Sequence, residues 1–551
     1  MTTTKPDILG HVHDHAQVLK TMLRQSTPPY RPLVEERVQE FEDEIARLQA
    51  DIDEHKTETT LLWLWAQKEH MEEYVQVGRS LLAPIRRMPR ELLLRIFSIY
   101  CEGGNMFSIG STGFDRMPNP ILLSMVCALW RDMAISSSEL WSDMGYYFGP
   151  EADLDDGKRC LRITEMFLQR AGSSPLSLSF DSLDFRTGQR HNGAMITPPV
   201  ALSLDALCRR AEQWDSVEFS IPSTFTQQPS FRIAKGHLLN LRTIRIYEPQ
   251  EHVPSTFDFL IPSPALRHAK VRLCLARPND LLPPIPWQQL KSLSLDVSFR
   301  APTVSHIIPL CTNLTDLELS IVTPLSEVTQ NTQRVLIPTL RSLTIETIFR
   351  GCPAFQHFFR QFACPGLRSF YFGDDRVGTR LRLIGEEDIA CLIEFLGHSS
   401  SCLTTLSLSC SQVSGEQAVQ LLQHTSRLTS LRLNEKEFRP NDTGLLCTPS
   451  LFTHLTCTPS LPSLLPRLLH LKLVVDSSNF HHEQSERLIE AVRSRCIIPD
   501  LHSDAKPGAD RLQSVEVEFW NRQATFPESL APLESLRDAG LRVILPAKER
   551  S

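Results

Sequence analysis

Apolar positions first become periodic at Val34. Val34, Val38, Phe41, Ile45, Leu48 and Ile52 step by 4, 3, 4, 3 and 4, which lays one oily stripe along a helix at heptad positions a and d. Glu35, Glu36, Glu40, Glu42, Asp43, Glu44, Arg47 and Asp51 take the other faces. The repeat stops at His55, before three heptads are complete, so it predicts a short helical hairpin or a weak dimer seam rather than a rod. Leu61-Leu62-Trp63-Leu64-Trp65 follows, a cluster expected to pack back on a neighbouring helix. Upstream, residues 1–32 show no apolar period, carry Thr27-Pro28-Pro29 and read as a disordered tail. His11, His13 and His15 alternate there without a carboxylate or thiolate at a supporting spacing, so solvated histidines are expected rather than a metal site.

Two further helical stripes lie between residues 83 and 141. Pro89 suits the first turn of a helix, where its missing N–H costs nothing. Behind it Leu93, Ile96, Phe97 and Tyr100 fall at i, i+3, i+4 and i+7, with Leu92 widening the stripe. A segment bearing Gly103-Gly104, Gly110-Ser111 and Pro120 then precedes Leu122, Met125, Val126, Leu129 and Met133. Trp130 and Leu140-Trp141 add large aromatics.

These residues carry a resemblance. Ile85-Arg86-Arg87-Met88-Pro89-Arg90-Glu91-Leu92-Leu93-Leu94-Arg95-Ile96-Phe97, then Val126-Cys127-Ala128-Leu129-Trp130-Arg131-Asp132-Met133-Ala134, then Leu140-Trp141, resemble an F-box. The family pattern is a Leu-Pro-x-Glu-Leu start, an Ile-Phe ending the first helix, a Val-Cys-x-x-Trp helix and a closing Leu-Trp. Met88 stands where the family has Leu, and the stretch from Phe97 to Val126 is longer than in compact members. That insertion and the short coiled segment before it resemble large fungal F-box families. The resemblance implies a non-catalytic adaptor that docks a Skp-type adaptor of a Skp–cullin–F-box ubiquitin ligase. Carried over residue by residue, the contacts would be Pro89, Leu92, Leu93, Ile96, Phe97, Val126, Trp130 and Trp141, some of them serving the box's own core.

After a helix-like segment over 161–168, Pro175-Leu176-Ser177-Leu178-Ser179-Phe180 alternates as a strand should. A six-residue signature, apolar-x-x-apolar-x-apolar, then recurs from Trp214-Val217-Phe219 to Leu512-Val515-Val517, with a weaker copy at Leu266-Ala269-Val271. Its starts are 27, 25, 24, 24, 26, 27, 36, 25, 40 and 44 residues apart. The first six intervals match the roughly 20–29 residue period of leucine-rich repeats, and the array resembles a degenerate one. The 78 leucines of the 551 residues agree. The Asn expected at the ninth position is missing: Pro249 and Ser411 stand there. Positions four and six of an extended segment point to one side, and stacking neighbours bury them. Phe355, Phe358, Phe359 and Phe362 read as one helical return stripe, and Ile389, Leu392, Ile393 and Leu396 as another.

Positions three and five should face outward along the inner surface, with position two at its rim. Arg242, Arg267, Lys291, Arg341 and Arg368 fall on the rim; Arg245, Lys270, Asp316, Glu318, Tyr371, Arg432, Lys472 and Glu516 fall on the inner face. Capture of an acidic or phosphorylated protein substrate by Arg242, Arg245, Lys291, Arg341, Arg368 and Tyr371 is the functional expectation. Between Leu433 and Leu468, Cys447-Thr448-Pro449-Ser450-Leu451 is repeated as Cys457-Thr458-Pro459-Ser460-Leu461, read as a loop duplication.

Composition removes alternatives. With 57 basic and 64 acidic residues the net charge is −7, which argues against bulk nucleic-acid binding. The 14 cysteines include no Cys-x-x-Cys pair, disfavouring zinc and thioredoxin-like chemistry. No secretory leader and no apolar run of membrane length is visible, so a reduced, intracellular protein, cytoplasmic and/or nuclear, is expected. No Walker loop, Gly-x-Gly-x-x-Gly, Gly-x-Ser-x-Gly or His-Glu-x-x-His occurs; no catalysis, cofactor or metal is expected. Gly373-Asp374-Asp375 and Glu386-Glu387-Asp388 read as solvated acids.

The expected organisation is α/β: a tail (1–32), a short coiled coil and helix (33–80), the helical F-box (81–146) and an irregular leucine-rich-repeat solenoid (147–546), with a parallel sheet, outer helices and an irregular loop at about 434–467. The alternative is a coiled-coil and leucine-rich-repeat scaffold outside any ligase, self-associating weakly through Val34 to Ile52.

Overall fold

The computed structural model describes residues 18, 21–22, 31–54, 58–103, 105–109, 117–148, 154–181, 198–221, 223–247, 257–273, 284–297, 302–321, 334–347, 358–373, 386–399, 402–409, 413–435, 446–458, 464–476, 480–496, 509–519 and 528–545. The chain divides into two units, Met1–Asp215 and Ser216–Ser551. The histidines at 11, 13 and 15, Phe355, the ninth positions Pro249 and Ser411, and Asp374-Asp375 lie outside the described residues.

In the first unit, α1 (Arg31–Glu54) and α2 (Glu58–Leu82) form an antiparallel hairpin. Phe41 meets Tyr74 at 5.6 Å between rings, while Gln49 near the end of α1 accepts from Lys68 near the start of α2 at 2.6 Å. Val34, Val38, Phe41, Leu48 and Ile52 are buried against Leu64, Met71, Tyr74, Val75 and Leu81. The heptad stripe is therefore covered by the same chain's next helix rather than left as a dimer seam. Gly78 permits the close approach: a Cβ there would collide with Val38 Cγ2. Of the apolar cluster, Leu64 points inward, whereas Leu62, Trp63 and Trp65 remain outside.

The same unit continues with α3 (Arg90–Cys101), β1 (Met106–Ile109), α4 (Asn119–Val126), α5 (Ala128–Ser136), β2 (Asp143–Phe148), α6 (Leu154–Ala171), β3 (Leu176–Asp181) and α7 (Pro198–Cys208). β1, β2 and β3 pair in parallel, Met106 opposite Gly145 and Asp143 opposite Ser177. Only β3 was foreseeable from alternation. β1 lies inside the insertion of the helical module, and β2 follows directly on the Leu140-Trp141 motif. Phe107, Met144 and Tyr146 are buried, Phe107 against Tyr146 and Phe167 of α6, and Tyr146 against Phe180 of β3.

The second unit is a run of parallel strands: β4 (Trp214–Ser220), β5 (Thr243–Tyr247), β6 (His268–Leu273), β7 (Ser292–Val297), β8 (Asp316–Ile321), β9 (Ser342–Thr347), β10 (Ser369–Gly373), β11 (Thr405–Ser409), β12 (Ser430–Asn434), β13 (His470–Val475), β14 (Ser514–Phe519) and β15 (Arg542–Ile544). From β5 onward each pairs with its predecessor in chain order. This is the leucine-rich-repeat-like solenoid that the signature implies. Positions one, four and six are buried in turn after turn, as at Leu340, Leu343 and Ile345, and the weak copy at Leu266, Ala269 and Val271 is equally buried. Full burial of each such side chain contributes about 1.5–3 kcal/mol, which no isolated turn could secure.

A second regularity runs beside this core. The carbonyl of position two accepts the next two-position pair of N–H groups from the following turn: Arg267 O from Lys291 and Ser292, Lys291 O from Thr315 and Asp316, Thr315 O from Arg341 and Ser342. The pattern continues through Arg341, Arg368, Thr404, Thr429 and Leu469.

Helical returns close the other wall. Ile389, Leu392 and Leu396 of α8 (Glu386–Ser399) are buried. α9 (Gly415–Gln423) starts in a capping box between Ser414 and Gln417, the reciprocal pairing that satisfies two otherwise orphaned donors. The stretch expected to be an irregular loop contains α10 (Pro449–Leu455), capped by Thr448 Oγ1 accepting from the Leu451 N–H. α11 (His482–Cys496) buries Arg495, whose guanidinium donates to the carbonyls of Leu455, Leu464 and Leu465. The aromatic stripe differs from expectation: Phe362 lies in a two-stranded pairing with Val335, not on a helix, although Phe358, Phe359 and Phe362 are all buried. Among the described residues, no helix is long and apolar enough to cross a membrane.

Candidate functional site

α3 resolves its apparent single stripe into two. Leu93, Phe97 and Cys101 recur every four residues and turn inward, at 1%, 0% and 4% exposure. Leu92 and Ile96 stay outside at 55% and 47%, together with Ile99 and Tyr100. α4 does the same: Pro120 and Leu123 are buried, whereas Leu122, Met125 and Val126 are exposed. The apolar surface of these two helices is broader than their partners in the unit cover. Asn119 ties them together by donating to the Tyr100 carbonyl at 2.7 Å.

The eight sequence-predicted docking residues therefore separate. Pro89, Leu92, Ile96 and Val126 are exposed. Trp130 is half-buried with its ring 4.7 Å from Phe97. Leu93, Phe97 and Trp141 belong to the interior and offer a partner no surface. Trp141 donates to the Ala134 carbonyl at 2.7 Å, meets Phe167 edge-on at 4.9 Å and lies under the Arg170 guanidinium at 4.2 Å. It is a structural rivet of the unit. Ile99, Leu122 and Met125, read from the sequence as stripe residues or left aside, join the outward set instead.

On the repeat, four inner-face cations are matched by acids one or two strands away, whereas Arg432 Nε is buried without a hydrogen-bond partner among the described residues. Arg245 pairs with Glu218 at 3.3 Å, Lys270 with Glu318 at 3.9 Å, Arg272 with Asp296 at 2.5 Å, and Lys472 with Glu516 and Glu518 at 2.9 and 3.0 Å. Tyr371 is half-buried between Thr344 and Ser407 of the adjoining strands. Arg242, Lys291, Arg341 and Arg368 are exposed along the rim, away from Arg245, so the six predicted substrate contacts fall on two rows rather than one.

The buried cysteines are poor nucleophiles. Burial, with a contribution from Asp143, pushes the Cys101 thiol up to about 11; burial takes Cys160 to about 11 and Cys311 and Cys364 to about 12. A reactive thiolate needs the opposite shift.

No family model matches the chain, and no curated protein matches it. Among solved structures, a chain of the crystal structure of the Rad7 and Elc1 complex in yeast is similar at 14% identity, over 89% of this chain and 98% of that chain, with a TM-score of 0.32. The likeness is slight. It carries no assignment of family or function.

Proposed function

We propose that this protein is an F-box adaptor: its helical module docks a Skp-type adaptor of a cullin ubiquitin ligase, and its repeat unit holds a protein substrate. The observation that supports this reading most is the outward apolar set on α3 and α4, Leu92, Ile96, Met125 and Val126, in the segment whose sequence resembles an F-box. Exposed apolar surface of this kind marks interaction sites. In this reading the protein catalyses nothing itself. It raises the concentration of substrate beside a charged ubiquitin carrier held on the same assembly.

Co-purification with a recombinant Skp-type adaptor tests the proposal. Leu92→Asp with Ile96→Asp places two charges in the docking face, at a cost of several kcal/mol if that face is buried by the partner. The double variant should fold normally and lose the adaptor. Undiminished co-purification of the folded double variant refutes the docking role.

A further inference from the structure

The rim of the repeat unit holds a groove of about 440 Å³, lined by Arg267, Lys291 and Arg341 together with Gln289, Asn313 and Thr315. We propose that this groove binds the oxyanions of an extended, acidic or phosphorylated polypeptide segment laid across the strands. The proposal deepens the reading of the repeat as the substrate-holding unit by naming the chemistry it would select.

Three observations point the same way. First, the cations occupy one structural position. Arg267, Lys291, Thr315 and Arg341 are successive position-two residues, linked by the carbonyl ladder with N···O distances of 2.8, 2.8 and 2.7 Å. At ~4.8 Å per strand step the row spans about 14 Å, the length of about four residues of extended chain.

Second, their charges are not neutralised. The inner-face cations Arg245, Lys270, Arg272 and Lys472 pair with Glu218, Glu318, Asp296, Glu516 and Glu518. Among the described residues no carboxylate pairs with Arg267, Lys291 or Arg341, and none lines the groove. The adjacent acid, Asp316, is engaged by Thr315 Oγ1 at 2.7 Å. Third, the guanidinium groups are oriented without being discharged. Arg267 Nη1 donates to the carbonyls of Pro264 and Leu266 at 2.9 and 2.8 Å, and Arg341 Nη1 to Gly366 at 3.5 Å. Such anchored forks suit phosphate or carboxylate oxygens. A nucleic acid is the poorer fit, because the chain as a whole carries a charge of −7.

The test uses the full-length protein and three fluorescein-labelled decapeptides of alternating glycine with serine, glutamate or phosphoserine, followed by fluorescence anisotropy at low and moderate salt. The phosphoserine or glutamate peptide, or both, should bind and the serine peptide should not; their ratio tells which oxyanion the groove prefers. Lys291→Ala with Arg341→Ala should weaken binding about tenfold or more, while Arg245→Ala on the paired inner row should change it less than twofold. Leu92→Asp with Ile96→Asp should bind the peptides as wild type does, so failure of the docking reading and failure of this one are separable. Equal binding of all three peptides overturns the proposal, as does wild-type binding by the folded Lys291→Ala, Arg341→Ala variant. Tighter binding of a single-stranded oligonucleotide of equal charge, lost in the same variant, overturns the choice of a polypeptide.

Discussion

In the strand array, Leu340, Leu343 and Ile345 show what happens to an apolar pattern whose partners are all supplied by the next turn: every member is buried. In α3, Leu92, Leu93, Ile96 and Phe97 form an equally dense apolar pattern, yet half of it faces out. The difference lies in supply. A stacked strand has a copy of itself on either side, whereas α3 and α4 carry more apolar surface than the first unit can cover. The polar residues mirror this contrast, since the repeat pairs Arg245, Lys270, Arg272 and Lys472 of the inner face with acids but leaves charge on the rim.

The largest effect that would break the comparison is core truncation. Leu93→Ala and Leu343→Ala should each cost about 3 kcal/mol, whereas Leu92→Ala should stay within about 0.5 kcal/mol. Denaturant melts of the three variants measure this, and a Leu92→Ala loss comparable to that of Leu93→Ala would show α3 to be covered on both faces.

A smaller effect concerns Glu435, a carboxylate that the repeat unit buries, as it does Asp296 and Asp476. Burial, and secondarily the charge of Asp476, pushes the Glu435 carboxyl above its ordinary value, against the lowering influence of the Cys447 and Leu446 backbone N–H groups. A carboxyl raised on folding favours the native state while protonated in both states and withdraws that support as pH climbs through its folded value. Wild type should therefore lose stability relative to Glu435→Gln as pH rises from about 4, the unfolded carboxylate range, toward neutrality. Parallel stability–pH curves for the two proteins would remove Glu435 from the account. The smallest effect belongs to the exposed Arg245–Glu218 pair, where Arg245→Ala should change the unfolding free energy by less than about 0.5 kcal/mol.

Much of the array was legible in the sequence because its signature repeats: three apolar positions per turn name both the strand and its buried face. Even Leu266-Ala269-Val271, the weakest copy, is a regular strand. β1 and β2 were not legible. They are short, separated by two helices, and owe their pairing to Phe107 meeting both Tyr146 and Phe167, which no local period records. The stripe of α3 could be read, but not its division, since periodicity says which side chains share a face and not how far a neighbour extends over it. Ion pairing between strands was likewise hidden: Arg245 and Glu218 are 27 residues apart and meet only through strand register.

The position-two carbonyl that grips two successive N–H groups of the following turn has an architectural consequence. Alignment between turns is fixed at that one anchor, so the chain linking consecutive anchors is free to be as short as 24 residues or as long as 44. Lengthening or trimming a connection on the far side leaves the rows of side chains on the near side where they were. Such a scaffold can be refitted at its periphery, generation after generation, without ever renumbering its working surface.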